Sequence, residues 1–129
     1  MSLHGRWRVS WTQMPSYAKT PRTFQARQVK VLGITQIISD GDKIQHSAVI
    51  QDLETTAIRH VTMHGSYVEK DPLTLSIQFT EMSVSGTPGR IPHRTKAICK
   101  DVSRTERMRL VRGSNNWLTL LVKEPEDTE

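Results

Sequence analysis

The chain has little cysteine, few aromatic residues and no long apolar run. Its 129 residues include one cysteine, Cys99, which cannot form an internal disulfide and gives no sign of an oxidising compartment. No apolar stretch approaches the ~20 residues of a membrane-spanning helix, and nothing resembles a signal peptide. We therefore expect one soluble domain with a core that needs no disulfide.

Motifs for catalysis and metal binding are also missing. There is no Gly-x-Ser-x-Gly, no phosphate-binding loop and no Cys-x-x-Cys. His60 and His64 are the nearest pair among the five histidines, but in a strand they lie ~13 Å apart at ~3.3 Å per residue, too far for one zinc ion. The sequence thus predicts no catalytic residue, no metal and no cofactor. A small barrel isomerase or cyclase, which needs few catalytic groups, stays open as an alternative.

Positive charge exceeds negative charge, with a formal net charge of +5, but it is spread along the chain rather than concentrated in blocks. Such a balance favours acidic partners, either nucleic acid or an anionic membrane surface. The segment Arg6-Trp7-Arg8 offers a little of the alternation of aromatic and basic side chains that binds single-stranded nucleic acid. However, Trp7 and Trp11 share one strand face, so we expect both to be buried. A nucleic-acid module is therefore an alternative, and a membrane surface is a compatible partner.

The dominant hydrophobic period is two, which is typical of half-buried strands. Leu73, Leu75, Ile77 and Phe79 alternate with polar residues in the cleanest example. The pattern predicts eight strands and no helix. They are Arg6–Thr12, Phe24–Ser39, Lys43–Gln51, Ile58–Val68, Leu73–Thr80, Thr95–Val102, Glu106–Arg112 and Asn116–Lys123.

Glycine and proline punctuate these strands. Asp40-Gly41-Asp42 is a hairpin turn signal, and glycines 33 and 65 inside strands indicate bulges or bends. Loops are predicted at Met14–Pro21 and Ser85–Pro92. Residues 1–123 then form a single domain, and Glu124–Glu129 form an acidic tail.

Eight strands joined by short connections are antiparallel neighbours and can close into an up-and-down barrel. Closure removes the exposed edges that a sheet of this size otherwise presents. A β-sandwich uses the same alternation, so alternation alone leaves both open. The pattern therefore predicts an all-β fold, and its two candidate architectures are an eight-stranded antiparallel barrel and a β-sandwich.

The start of the first strand favours the barrel. Gly5-Arg6-Trp7 resembles the Gly-x-Trp that opens lipocalin-like barrels, where the indole closes the barrel base. In many such barrels an arginine from a late strand lies over the ring, a cation–π contact worth ~0.5–2 kcal/mol. The resemblance implies that Gly5 and Trp7 close the barrel and that Arg109 or Arg112 supplies the arginine.

Four stretches carry a narrower resemblance, namely Leu3–Val9, Gly33–Ile38, Gly86–Arg90, and the closing hairpin Arg107–Gly113 with Asn116–Lys123. They resemble the plastid lipid-associated proteins, also called fibrillins. The opening Leu3–Val9 resembles that family's Leu-x-Gly-x-Trp strand, and the closing hairpin resembles its Leu-Arg-Ile-x-Arg-Gly…Asn-Leu-Phe-Val-Leu pattern. Order, spacing and residue types agree best in the hairpin.

The resemblance implies a non-enzymatic carrier or structural protein that binds lipid or isoprenoid, such as a quinone, carotenoid or fatty acid. It implies a location in the plastid (chloroplast), at thylakoid membranes or plastoglobules. Arg109 or Arg112 would neutralise a carboxylate or phosphate headgroup. The candidate apolar lining of the ligand site is Trp11, Tyr67, Leu75, Ile77 and Phe79.

Overall fold

The computed structural model of the chain describes residues 3–14, 17–19, 28–85, 87–89, 95–114 and 116–125. Across these ranges every regular element is a strand, and no helix is long and apolar enough to cross a membrane. The strands are β1 (Gly5–Thr12), β2 (Tyr17–Lys19), β3 (Gln28–Ser39), β4 (Lys43–Asp52), β5 (Ile58–Asp71), β6 (Thr74–Val84), β7 (Thr87–Gly89), β8 (Thr95–Arg104), β9 (Met108–Arg112) and β10 (Leu118–Lys123).

Eight of these strands close into a barrel. Their order is β1-β10-β9-β8-β6-β5-β4-β3, every pairing is antiparallel, and β3 pairs with β1 to complete the ring. The predicted eight-stranded antiparallel up-and-down barrel is confirmed, and the sandwich alternative is wrong. Closure follows from pairing the first strand with both the last strand and β3.

Two short strands lie where the sequence predicts only loops. β2 pairs with the start of β3, and β7 pairs with the end of β6. The loop predictions for Met14–Pro21 and Ser85–Pro92 are wrong at these positions, because three-residue strands are too short to show an alternating pattern. Phe24, the start of the second predicted strand, and residues 126–129 of the predicted tail lie outside the described residues.

Turns and bulges fall where glycine was used to predict them. Gly41 and Asp42 both have positive φ in the turn between β3 and β4. The β3–β4 register shifts at Gly33, and the β5–β6 register shifts at Gly65. A Cβ on Gly65 would lie 2.1 Å from the backbone oxygen of Gln78, so only glycine lets β6 approach this closely.

A further bulge turns Trp11 to the outside of the barrel. Val9 pairs with Leu121, but the register shifts before Trp11, which pairs with Leu120. One extra residue moves the following side chains to the opposite face. Trp11 is therefore 51% exposed, whereas Trp7 is 1% exposed. The prediction that the two tryptophans share a buried face is wrong.

The core fills one end of the barrel. We call this end, where β1 begins and β8 ends, the base; the opposite end, where β1 ends and β8 begins, is the open end. Most of the buried apolar side chains form one cluster reaching from the base to the middle of the barrel. Its members are Leu3, Trp7, Ile38, Ile44, Tyr67, Leu75, Ile77, Phe79, Val111 and Leu121.

Candidate ligand-binding cavity

The base is closed by the Trp7 side chain. Its Nε1 donates a hydrogen bond of 2.9 Å to the backbone oxygen of Leu3, in the segment that leads into β1. The Arg109 guanidinium lies over the indole, with Cζ 5.0 Å from the ring centroid, and Lys123 Nζ lies 5.6 Å from it. The ring is thus held between β1, β9 and β10, and it seals the interior from solvent at this end.

A buried ion pair backs the indole. Asp101 accepts from Arg109 Nε at 3.1 and 3.2 Å and from Nη2 at 3.1 Å, and both side chains are almost completely buried. Arg104 also donates to Asp101 through Nε. We call Trp7, Arg109 and Asp101 the base plug. A charge buried here is tolerated because the carboxylate pairs with it in a bidentate geometry.

A chain of hydrogen bonds leads from the plug toward the open end. Arg109 Nη1 donates to Gln36 Oε1 at 2.8 Å, and Gln36 Nε2 lies 2.7 Å from His46 Nε2. The His46 ring packs against Phe79, with ring centroids 4.9 Å apart. Four strands therefore place an ordered polar chain across the middle of the barrel.

Burial shifts the two titratable groups beside this chain. Desolvation, with a contribution from the Arg109 charge, lowers the pKa of His46 from 6.5 to about 4. Desolvation also raises the pKa of the Cys99 thiol from its ordinary value. The imidazole is neutral and the thiol is protonated near pH 7, so neither is poised as a charged nucleophile or base.

Above the polar chain the barrel is hollow. A cavity of about 510 Å³ opens at the open end. Gln36, His46 and Cys99 lie at its inner end, and Lys96 lies at its rim. Its walls are formed mostly by apolar side chains, namely Val9, Met14, Ile34, Ala48, Val61, Met63, Phe79, Ala97, Ile98, Val111, Trp117 and Leu121.

The structure separates the five residues predicted to line a ligand site. Phe79 lines this cavity. Leu75 and Ile77 are buried in the packed core below it. Tyr67 lies in the core and borders a separate cleft at the base, together with Glu69, Asp71 and Arg104, while Trp11 lies outside. The sequence placed these five side chains in one site, whereas the interior of the barrel is divided into a packed half and a hollow half.

The two arginines predicted to bind a headgroup lie on opposite faces of β9. Arg109 faces inward but is fully buried and occupied by Asp101 and Gln36. Arg112 instead donates to the backbone oxygen and to Oδ1 of Asn116, at 3.0 and 3.1 Å. Side chains alternate along a strand, so two residues three positions apart face opposite sides.

Sequence reasoning missed the roles of three interior polar residues, two at the inner end of the cavity and one in the base plug. Gln36, His46 and Asp101 are polar residues at inward positions of strands whose other inward residues are apolar. Gln36 lies between Ile34 and Ile38 in this alternation. A polar residue in phase with the apolar face is the signal that could have found them, because such a group must be hydrogen-bonded when buried.

The structure buries the aromatic residue on which the nucleic-acid alternative rests. Trp7 is buried, so the Arg6-Trp7-Arg8 segment presents no aromatic platform for bases. His60 and His64 lie in the extended strand β5. Among the described residues no three His, Cys, Asp or Glu side chains are grouped as a metal site.

Comparison with known proteins adds no family. A scan against models of known protein families finds no match for this chain, and a search of curated proteins finds no similar sequence. The barrel and its cavity therefore carry the functional argument.

Proposed function

We propose that this protein binds a small, largely apolar molecule in the open half of its barrel. The observation that carries the proposal is the cavity of about 510 Å³ with apolar walls and a few polar groups at its inner end. Sites for small ligands have this composition and are usually ~300–1,000 Å³ in volume. An eight-stranded barrel is just wide enough for one such ligand where its inward side chains are small.

Binding would be driven by removal of apolar surface from water. Each buried methylene contributes ~0.8 kcal/mol. In a series of straight-chain compounds, affinity should therefore rise by roughly fourfold per methylene until the cavity is full. A plateau at a defined chain length would report the depth of the cavity above Gln36.

The test uses N-phenyl-1-naphthylamine, an uncharged fluorophore that brightens in apolar surroundings. Ala97→Phe places a large ring at the cavity wall, whereas Ala57→Phe makes the same change at an exposed position outside it. We expect Ala97→Phe to weaken probe binding by at least about tenfold, and Ala57→Phe to leave it within about twofold. Equal binding by all three proteins would contradict the proposal.

The ligand class that we propose is a lipid or isoprenoid, carried by a non-enzymatic protein. The apolar walls support this class, and the resemblance of four stretches to plastid lipid-associated proteins supports a role at plastid lipid bodies or thylakoids. Purification from the native source followed by mass spectrometry of the extract is the direct measurement. An extract without lipid, quinone or carotenoid would count against the class.

The rim supports delivery from a lipid surface. Ile98 and Trp117 both line the cavity and are exposed, and Lys96, two residues before Ile98, lies on the same face of β8. Apolar and basic groups together favour an anionic bilayer surface. Replacing Ile98 and Trp117 with serine should reduce sedimentation with phosphatidylglycerol vesicles. The control Val102→Ser, at an exposed position near the base, should not.

A further inference from the structure

The direction of every hydrogen bond in the buried polar chain is fixed by its charged end. A guanidinium can only donate, so the group of Gln36 that faces Arg109 must be Oε1. The Gln36 amide nitrogen must then donate to His46 Nε2, which has to be unprotonated. Because a neutral imidazole carries one proton, that proton is on Nδ1.

This tautomer leaves a donor unused. Among the described residues, none accepts a hydrogen bond from His46 Nδ1. Within the described residues, the buried side-chain atom that lacks a hydrogen-bond partner is Arg104 Nη2, not His46 Nδ1. An unpartnered Nδ1 must therefore be accessible, and His46 lines the cavity. Burial and the Arg109 charge keep the imidazole neutral by holding its pKa at about 4. The inner end of the cavity therefore offers an uncharged N–H.

Positive charge is not offered there. The Arg109 guanidinium is fully buried and all three of its nitrogens are engaged by Asp101 or Gln36. A carboxylate placed at the inner end would be desolvated without a free cation to pair with. The basic group of the cavity lining is Lys96, which lies at the exposed rim.

We propose that the cavity selects an apolar molecule whose inner end is an uncharged carbonyl group, which accepts a hydrogen bond from His46 Nδ1. This inference rests on the cavity being a ligand site, and it adds the chemistry and orientation of the ligand. A neutral acceptor satisfies the donor without the cost of burying a charge. The carbonyl lies beside His46, and the apolar remainder extends along the walls toward Trp117.

The test compares 2-decanone with 1-decene, two ten-carbon compounds that differ in the carbonyl, by displacement of N-phenyl-1-naphthylamine. His46→Phe keeps an aromatic ring against Phe79 but removes the N–H. The matched control, His64→Phe, changes an exposed histidine of β5. We expect the preference for ketone over alkene to fall by about fivefold in His46→Phe and to stay unchanged in His64→Phe.

The outcomes separate this inference from the proposal beneath it. If neither compound displaces the probe, both fall. If both compounds bind but His46→Phe leaves their ratio unchanged, the carbonyl assignment alone falls. It also falls if decanoate outcompetes 2-decanone and loses that advantage in Lys96→Met, since the polar end would then lie at the rim.

A second measurement covers the case in which His46→Phe does not fold. The carbonyl stretch of 2-decanone labelled with ¹³C at the carbonyl, bound to the wild-type protein, should lie below its position in an alkane solvent, because a donated hydrogen bond weakens the C=O bond. An unshifted band would overturn the assignment without any variant.

Discussion

The two ends of the barrel are built from the same strands but are filled differently. At the base, inward positions carry large side chains, Trp7, Leu75 and Arg109, and the interior is solid. Toward the open end, β4 and β8 place Ala48 and Ala97 inward, and the interior is hollow. Since the strand number fixes the width, the size of the inward side chains decides where an eight-stranded barrel holds a ligand.

This contrast predicts that stability resides in the base, and the ion pair gives its strongest test. Asp101→Asn removes the carboxylate that Arg109 and Arg104 share but keeps the side-chain size. An unpaired buried charge costs ~3–5 kcal/mol. Urea unfolding should show a loss of this order, and a variant that does not fold meets the same expectation. Glu106→Gln, at an exposed acid, should leave the midpoint almost unchanged; equal midpoints for both variants would contradict the contrast.

The two tryptophans of β1 provide the second test. Trp7→Ala removes a buried aromatic side chain and should lower the free energy of unfolding by ~3–5 kcal/mol. Trp11→Ala removes the same side chain from an exposed position and should change it by less than ~0.5 kcal/mol. Thermal unfolding followed by far-ultraviolet circular dichroism measures both. A loss under ~1 kcal/mol for Trp7→Ala would mean that the indole does not close the base.

The same two residues show how much the sequence could predict. Alternation and turn residues were sufficient for the eight barrel strands, though not for the short strands β2 and β7, because each barrel strand has one buried face and short connections leave few topologies. They failed at Trp11, since a bulge reverses the faces and no residue pattern in β1 announces it. The Gly5-Arg6-Trp7 motif located the base, while the position of the cavity depended on which strands face one another.

The cavity was harder to predict than the barrel for a physical reason. Whether Phe79 borders a void or a packed core is decided by the summed volume of inward side chains from all eight strands, which pairing registers determine. The sequence gives each volume but not the registers. Arg109 was predicted as an anion-binding group, and its pairing with Asp101 was not foreseen because Asp101 lies on a neighbouring strand, eight residues earlier in the chain.

The hollow half should make stability depend on pH. His46 has a pKa of about 4 in the folded protein and 6.5 as its ordinary value, so between these values the unfolded chain binds the extra proton. The stabilisation is complete above pH 6.5 and is lost as the pH falls toward 4. From pH 7 to pH 4.5 we expect a loss of about 2–3 kcal/mol.

The measurement is the urea midpoint at several pH values in wild type and His46→Phe. The groups that contribute to the low pKa of His46 are the packed interior and the Arg109 guanidinium, and Arg109 does not titrate in this range. The difference between the two proteins therefore isolates the contribution of the imidazole from that of the carboxylates, which both proteins share. Parallel curves would show that His46 is solvated in the folded state.

The boundary between the two halves gives the smallest expected effect. Gly65 lies between Met63, which lines the cavity, and Tyr67, which packs in the core. Gly65→Ala would place a Cβ 2.1 Å from the Gln78 backbone oxygen, so β6 must move away.

Overpacking of this kind costs ~1–3 kcal/mol. Gly33→Ala makes the same change in β3, where no atom lies within 4 Å of the new Cβ. We expect this control to leave the stability unchanged or to raise it by ~0.4–1 kcal/mol, through the lower entropy of the unfolded chain. Because β6 carries both Phe79 and Leu75, its displacement in Gly65→Ala should also weaken probe binding. A variant that loses stability but keeps full probe affinity would show that the hollow half is independent of the β5–β6 contact at its lower edge.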